Sequence, residues 1–292
     1  MKLFAGLETI VKESEPLAPR TWFELGGPAE YFIEPTTLDE LRDVVQRCRE
    51  NDVPIHVLGG GANLLIDDGG VKGAVIHLGT ETFRQVTYSE GMLRAGAGAD
   101  MPKLVLHCVR QGLTGLECLT GIPGSVGGCT RMNAGGVFGD IGSVIESVEV
   151  MGTDGVAFSR TRDDLVFGYR STNISSKFIL SSTFRVGEED PQAILRQVKE
   201  IWFYKKNSQP LGTPNAGCIF KNPRGMSAGA LIDKSGMKGV RAGGAHVSEK
   251  HANFILADRG ARASDVLKLI NIVREAVYNK FEVYLELEVE VW

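Results

Sequence analysis

The sequence contains a run of three glycines, Gly59-Gly60-Gly61, directly after a short apolar segment typical of a buried strand. Three successive residues without a Cβ atom let the backbone approach a ligand closely and expose consecutive N–H groups, an arrangement that can bind a diphosphate. The run matches neither Gly-x-Gly-x-x-Gly nor Gly-x-x-x-x-Gly-Lys-Ser/Thr, so it predicts neither a Rossmann fold nor a P-loop. Taken alone, a tight structural loop is the more common explanation of such a run.

A second glycine-rich region, residues 121–136, changes that balance. It contains Gly-Ile-Pro-Gly-Ser-Val-Gly-Gly from residue 121 and Asn-Ala-Gly-Gly from residue 133, so small residues occur together with a rigid proline and with Ser and Asn. Glycine makes up 36 of the 292 residues, about 12%, against a usual ~7%. Two such loops in one predicted domain favour a nucleotide cofactor over a purely structural role.

Charge and cysteine content exclude several classes of protein. Lys and Arg number 32 and Asp and Glu 36, which gives a net charge of −4 with no basic stripe, so we expect no nucleic-acid partner. No apolar run reaches the ~20 residues of a membrane span. The five cysteines include no Cys-x-x-Cys pair, so we expect neither a disulfide framework nor a metal site, and Cys48 and Cys108 are predicted to lie in the core. Because the first residues do not resemble a signal peptide, we expect a cytoplasmic protein.

Apolar periodicity predicts several helices separated by short strands. Thr37 with Glu40 forms a capping box for the first helix, and Asp100 and Gly112 mark the start and end of the second. A helix is predicted from Asp190, with an apolar face formed by Ile194, Val198, Ile201 and Trp202. The last run, residues 283–291, alternates apolar residues with Tyr284 and three glutamates and predicts a strand. This mixture indicates an α+β protein with a domain boundary near residue 190.

Six motifs occur in order along the chain. They are Thr21–Ala29, the Gly59 loop, the 121–136 region, Phe167-Gly168-Tyr169-Arg170, Asn215–Pro223 and Leu285–Val289. Together they resemble the UDP-N-acetylenolpyruvoylglucosamine reductase family, flavoenzymes of bacterial peptidoglycan synthesis, over essentially the whole chain. The short spacing between Arg170 and Cys218 resembles the shorter subtype, which lacks an inserted substrate-capping loop.

The resemblance implies a fold and a cofactor. The fold would be a two-subdomain FAD-binding fold of the vanillyl-alcohol-oxidase/PCMH type, residues 1–80 and 81–190, followed by an α+β substrate-binding domain, residues 191–292. FAD is expected to be noncovalent, because His56 and His77 lie in strand runs outside the matching loops. The residues implied to bind it are Gly59, Gly60, Gly61, Ala62, Asn63, Leu64, Gly121, Ile122, Pro123, Gly124, Ser125, Asn133, Ala134 and Gly135.

The resemblance also implies a reaction, the NADPH-dependent reduction of UDP-N-acetylglucosamine enolpyruvate to UDP-N-acetylmuramate. Reduced flavin would deliver hydride to C3 of the enolpyruvyl group. Arg170 and Glu288 would stabilise the enolate-like intermediate, and Cys218, at the position of the family's proton-donating serine, would protonate C2. The implied substrate-binding residues are Tyr169, Lys221 and Asn222.

The residues alone do not single out these catalytic candidates. A planar guanidinium at Arg170 suits a carboxylate, although a Tyr-Arg pair usually lies on the surface. Glu288 is the middle of three carboxylates on one predicted strand face, which solvation explains most simply, and Glu290 stands where family members commonly have Arg. A thiol, with an ordinary pKa of about 8.5, is a much stronger acid than the hydroxyl that Cys218 replaces.

Two other functions are consistent with the glycine loops. One is a flavin oxidase or dehydrogenase of the same fold that acts on a sugar or alcohol, and the other is a nucleotide-binding module without catalysis. Neither gives a reason for Arg170, Cys218 and Glu288 to occur together. The absorbance spectrum and anaerobic bleaching by NADPH would distinguish the three.

Overall fold

The computed structural model describes residues 3–292. The described residues form six α-helices, which are α1 (Leu38–Glu50), α2 (Met101–Gln111), α3 (Val126–Arg131), α4 (Pro191–Ser208), α5 (Ala228–Lys234) and α6 (Ala263–Phe281). Groups of successive strands separate most of the helices, and the strands form three larger sheets and several two-residue pairs. The predicted α+β class is confirmed.

Local capping explains where the first two helices begin and end. Thr37 Oγ1 accepts the Glu40 N–H at 3.1 Å and the Glu40 carboxylate accepts the Thr37 N–H at 3.3 Å, which confirms the predicted box at the start of α1. Asp100 Oδ1 accepts the Lys103 N–H at the start of α2, and Gly112 ends that helix with φ +68°. The predicted burial of Cys48 and Cys108 on these helices is confirmed.

The prediction for α4 was right for three residues and wrong for Trp202. Ile194, Val198 and Ile201 are buried, whereas Trp202 is 43% exposed. Eight residues at 100° each place Trp202 about 80° around the helix from Ile194, at the edge of the buried stripe. Lys205 falls inside that stripe and is buried.

The described chain forms two compact units, and the first contains residues up to 14, 30–60 and 72–204. Unit 1 holds most of a four-stranded sheet, ordered Val11–Pro16, Pro28–Ile33, Val71–His77 and Ile55–Leu58. It also holds a five-stranded sheet, ordered Ala157–Thr161, Ile145–Met151, Phe178–Arg185, Met92–Gly96 and Val86–Ser89. The last two strands of the first sheet are parallel, and the paired neighbours of the second sheet are antiparallel.

The first part of α4 belongs to unit 1, although the sequence predicted a domain boundary near residue 190. Ile194 and Val198 pack in the hydrophobic core of this unit together with Val105, Val109 and Leu113. The helix therefore buries its apolar stripe against α2 and the chain that follows α2. The predicted subdivision of the earlier residues at residue 80 stays a prediction.

Unit 2 contains residues 15–29, 61–71 and 205–292. Its three-stranded sheet is ordered Arg241–Ala242, Ala245–Val247 and Ile255–Ala257. The core of the unit combines residues of α5 and α6 with Phe23, Leu25 and Leu65 from the two earlier segments. The C-terminal part of the chain thus completes its core with residues from far earlier in the sequence.

The predicted strand at residues 283–291 is present only in part. Glu290–Val291 pairs in parallel with Leu64–Leu65, and Leu287 forms an isolated bridge with Phe220. The alternation of burial is confirmed at Leu285 and Val289, which are buried, but Val291 is 40% exposed. Most of this run lacks a continuous partner strand, so it is extended without forming a ladder.

The remaining strands are two-residue pairs in unit 1. They are Gly135–Gly136 with Gly139–Asp140, Phe167–Gly168 with Ser171–Thr172, and Gly187–Glu188 with Leu113–Thr114. No helix of residues 3–292 combines the length and apolar character needed to cross a membrane. Over the same residues, no three His, Cys, Asp or Glu side chains are grouped to hold a metal ion.

Candidate cofactor and catalytic site

Unit 1 contains a cavity of about 580 Å³ that is partly open to solvent. Three glycine-containing segments, called loops below, form its walls. They are residues 57–60 at the end of the strand Ile55–Leu58, residues 97–100 before α2, and residues 124–128, which run into the start of α3. One face of α2 lines the cavity as well. The first and third loops are the two that the sequence predicted to contact a cofactor. The middle loop was not recognised from the sequence.

The loops approach each other so closely that only glycine fits at several positions. A Cβ atom on Gly60 would lie 2.7 Å from the Cα atom of Gly124, and one on Gly59 would lie 2.7 Å from Ser125 Oγ. A Cβ atom on Gly98 would lie 1.7 Å from the Leu78 carbonyl oxygen. The excess of glycine therefore has a packing cause at this cavity.

Backbone hydrogen bonds fix the middle loop to the third loop. The Met101 N–H donates to the Gly124 carbonyl at 2.9 Å, and the Val126 N–H donates to the Ala99 carbonyl at 2.8 Å. The Gly127 N–H donates to the Ala97 carbonyl, also at 2.8 Å. The wall is thus held rigidly on the side where the loops meet.

The cavity is strongly cationic. The described residues that line it include five Lys or Arg side chains but only one carboxylate, that of Asp100, and the five cations are Arg84, Lys103, Arg110, Arg131 and Lys177. Partial burial and the neighbouring Arg131 lower the pKa of Lys177, as expected where two positive charges lie close together. A glycine-walled cavity with this charge fits a ligand that carries a diphosphate.

Sequence reasoning missed all five cations. Arg131 is fixed by the carbonyl groups of Ile174, Ser176 and Lys177, to which its guanidinium donates. Lys103 and Arg110 lie on α2, and the other three come from separate parts of the chain between residues 84 and 177. Only the folded chain brings them to one cavity.

The predicted cofactor residues are distributed over several places. Gly59, Gly60, Gly124 and Ser125 line the cavity. Gly121, Ile122 and Pro123 precede the third loop without lining it, and Asn133, Ala134 and Gly135 do not line it either. Gly61, Ala62, Asn63 and Leu64 belong to unit 2. For the residues outside the cavity wall, a contact with the cofactor stays a prediction.

Arg170 lies in unit 1, in a two-residue turn with Tyr169. The turn joins Phe167–Gly168 to Ser171–Thr172, whose register pairs Gly168 with Ser171. Arg170 has φ +52°, a left-handed conformation that non-glycine residues seldom adopt. Its Nη2 donates to the Gly135 carbonyl at 2.8 Å, and its guanidinium carbon lies 5.2 Å from the centroid of the 53% exposed Tyr169 ring.

Cys218 lies in unit 2, at the start of an extended segment. Gly217 before it has φ +73°, and the Gly217 N–H donates to Asn215 Oδ1 at 2.9 Å. Cys218 bridges to Phe254, and the side chain of buried Asn253 accepts the Phe220 N–H and donates to the Phe220 carbonyl. These contacts fix the backbone that carries the half-buried thiol.

Glu288 lies on the segment beside that of Cys218. The Glu288 N–H donates to the Ile219 carbonyl at 2.8 Å, so the two candidate residues are on neighbouring extended segments of unit 2. Glu288 is half-buried, whereas Glu286 and Glu290 are exposed. The three carboxylates predicted on one solvated face therefore differ in their exposure to solvent.

Three further predicted residues have backbone partners in unit 2. Asn63 Nδ2 donates to the Glu288 carbonyl at 2.9 Å, so this residue of the glycine loop holds the Glu288 backbone. Asn222 Oδ1 accepts the Ala228 N–H at the start of α5. The Lys221 N–H donates to the Glu286 carbonyl, and its Nζ lies 3.9 Å from the Glu286 carboxylate.

Two family models match the chain. Residues 29–159, which include most of the cavity wall, match an FAD binding domain. Residues 209–292, which include Cys218 and Glu288, match the C-terminal domain of UDP-N-acetylenolpyruvoylglucosamine reductase. The FAD cofactor predicted from the sequence is thereby confirmed.

Curated relatives and a solved structure cover 96% or more of the chain. A UDP-N-acetylenolpyruvoylglucosamine reductase of Syntrophobacter fumaroxidans is 42% identical over 286 residues, which are 96% of this chain and 83% of that protein. One of Moorella thermoacetica is 40% identical over 292 residues, or 100% and 96%. The crystal structure of the reductase from Thermus caldophilus matches with a TM-score of 0.82 and 41% identity, covering 97% of this chain and 98% of that one. The chain belongs to the UDP-N-acetylenolpyruvoylglucosamine reductase family.

Proposed function

We propose that this chain reduces UDP-N-acetylglucosamine enolpyruvate to UDP-N-acetylmuramate, using FAD as the redox cofactor and NADPH as the source of electrons. The product would serve peptidoglycan precursor synthesis in the cytoplasm. The observation that carries the proposal is the cationic, glycine-walled cavity, most of which lies within the segment that matches an FAD binding domain.

The residues of unit 1 would hold the cofactor without a covalent bond. Gly59, Gly60 and Gly124 line the cavity, where a backbone without Cβ atoms would allow a diphosphate to approach closely. Arg131 and Lys177 would supply positive charge. The bound FAD, reduced by NADPH, would supply hydride chemistry at C3 of the enolpyruvyl group. Acid or heat denaturation should release the flavin into the supernatant, and flavin that stayed with the precipitate would contradict noncovalent binding.

Arg170 and Glu288 would act on the charge that develops during the reaction. Addition of hydride to C3 leaves negative charge that spreads from C2 into the carboxylate of the substrate. The planar guanidinium of Arg170 can donate two parallel hydrogen bonds to such a group. Half-buried Glu288, in its protonated form, would donate a hydrogen bond to the same intermediate. Tyr169, Lys221 and Asn222 would bind the rest of the substrate.

Cys218 would complete the reaction by protonating C2. The S–H bond breaks as the C2–H bond forms, and the thiolate then takes a proton from water. A thiol can donate without a relay because it is a far stronger acid than a serine hydroxyl. The half-buried position of Cys218 on a fixed backbone supports this role.

Product analysis tests the proposal. The purified holoenzyme is supplied with NADPH and UDP-N-acetylglucosamine enolpyruvate, and the products are identified by mass spectrometry. We expect UDP-N-acetylmuramate, two mass units heavier than the substrate, together with one NADP⁺ for each product. Oxidation of a sugar or alcohol by the flavin, with no UDP-N-acetylmuramate formed, would favour the oxidase or dehydrogenase alternative and overturn the proposal.

A further inference from the structure

The turn that carries Arg170 is strained and needs support. A left-handed conformation costs a residue with a Cβ atom about 1–2 kcal/mol, and Arg170 adopts it with φ +52°. The turn has two residues and is flanked by strands of only two residues each. Such a short hairpin is held in one conformation only when other groups fix it.

Asn133 supplies that support from inside unit 1. The residue is 2% exposed, and both ends of its amide are engaged with backbone groups. Its Nδ2 donates to the Gly168 carbonyl at 2.8 Å, and its Oδ1 accepts the Gly142 N–H at 2.9 Å. Gly168 is the residue that closes the Arg170 turn, so one end of the amide holds the turn directly.

The segment of Asn133 contacts the guanidinium as well as the turn. The Gly135 carbonyl, two residues further on, accepts a hydrogen bond from Arg170 Nη2 at 2.8 Å. The same segment is attached to the end of α3, because the Asn133 N–H donates to the Thr130 carbonyl and the Ala134 N–H to the Cys129 carbonyl. Residues 133–135 therefore fix both the backbone and the charged head of Arg170.

We propose that Asn133 is a positioning residue for Arg170 and not a cofactor ligand. The inference rests on the proposed function, in which Arg170 binds the carboxylate of the substrate. Asparagine meets two requirements at once, since it tolerates the left-handed φ of +47° at this position and carries a donor and an acceptor on one group. Aspartate fits the same space but cannot donate to Gly168 while it is ionised.

The test uses Asn133→Asp and the pH dependence of substrate reduction. At neutral pH the carboxylate loses the donor and repels the Gly168 carbonyl, so we expect reoxidation of reduced flavin by substrate to slow about 10- to 100-fold, as a misplaced catalytic group would cause. Burial raises the pKa of a carboxyl group, so mild acid should protonate it, restore an O–H donor and recover the rate. Flavin content should equal that of the parent.

Asn173→Asp is the matched control. Asn173 also bridges two backbone groups of the same hairpin, since its Nδ2 donates to the Asp164 carbonyl and its Oδ1 accepts the Val166 N–H. It is exposed and lies at the base of the hairpin. Its replacement should change the rate less than about threefold and without acid recovery, as is usual for exposed hydrogen bonds.

A double-mutant cycle separates positioning from general stability. With Arg170→Ala as background, Asn133→Asp should slow the reoxidation of flavin by less than a further twofold. Mild acid should not restore this rate, because the side chain that Asn133 positions is gone. If the aspartate variant fails to fold, Asn133→Gly keeps the left-handed backbone and should slow the same step at every pH.

Several outcomes overturn the inference. One is a parent-like rate of flavin reoxidation in Asn133→Asp, and another is a 10- to 100-fold further loss of this rate in the Arg170→Ala background. A third is loss of flavin from Asn133→Asp, which would make Asn133 a cofactor ligand as the sequence predicted. Failure of the parent itself to reoxidise its flavin with the substrate would instead refute the proposed function.

Discussion

Replacing Gly60 by alanine tests the packing of the two glycine loops. The added Cβ atom would lie 2.7 Å from the Gly124 Cα atom and 2.9 Å from the Gly124 carbonyl carbon. Carbon atoms pack at separations of about 3.5 Å or more, so the loops must separate by roughly 0.8 Å. Both partners are backbone, which cannot rotate away as a side chain would.

The separation should be costly for cofactor binding. Forcing an extra carbon into a well-packed site costs about 1–3 kcal/mol. If this cost falls on the form of the cavity that binds FAD, the dissociation constant rises about 5- to 140-fold, at 1.4 kcal/mol for each tenfold change. The assay is titration of the apoprotein with FAD, in which quenching of flavin fluorescence reports binding.

Gly136→Ala provides the matched control. Nothing lies within 4 Å of the Cβ position of Gly136, and this exposed residue does not line the cavity. We expect its FAD affinity to equal that of the parent. If Gly60→Ala bound FAD as tightly as the control, the two loops would not form a wall that the cofactor needs, and the reasoning would be refuted.

Three further predictions concern single side chains. Cys218→Ala should leave reduction of flavin by NADPH intact and slow reoxidation of the flavin by substrate about 10²- to 10⁴-fold. Cys218→Ser should recover much of the reoxidation rate. A parent-like reoxidation rate of Cys218→Ala in stopped-flow experiments would exclude Cys218 as the proton donor. FAD affinity should fall from neutral to alkaline pH, because Lys177 loses its charge over this range and burial lowers its pKa. Calorimetry should show that the affinity of Lys177→Met for FAD depends less on pH than that of the parent. Burial raises the pKa of Cys48 to about 11 and, with Glu117 adding to the effect, that of Cys108 to about 12. Iodoacetamide should therefore alkylate the half-buried Cys118 and Cys218 before these two buried thiols. Mass spectrometry that found Cys108 labelled equally fast would contradict its burial.

The sequence predicted structure well where the cause is local. The Thr37–Glu40 box and the stop at Gly112 depend on residues within one turn of the helix end, and both are present. The glycine runs indicated that a backbone must approach something closely. They could not show that Gly60 meets Gly124, because that contact joins two loops 64 residues apart.

Features that depend on tertiary structure were not accessible. Of the cations of the cavity, only Lys103 and Arg110 share an element, α2, and no spacing rule connects them with Arg84, Arg131 or Lys177. The apolar alternation of residues 283–291 indicated which side chains are buried, but whether a strand forms depends on a partner. Asn133 carries no signal of its support for Arg170, since the hairpin that it holds is 35 residues away.

Sequential anaerobic mixing is the most direct test of the central claim, that one flavin carries electrons from NADPH to the enolpyruvyl substrate. The holoenzyme is first mixed with one equivalent of NADPH, and its flavin absorbance is followed until it is bleached. UDP-N-acetylglucosamine enolpyruvate is then added without oxygen. We predict that the absorbance returns in full and that one UDP-N-acetylmuramate forms for each flavin. A flavin that stayed reduced in the presence of this substrate would contradict the account.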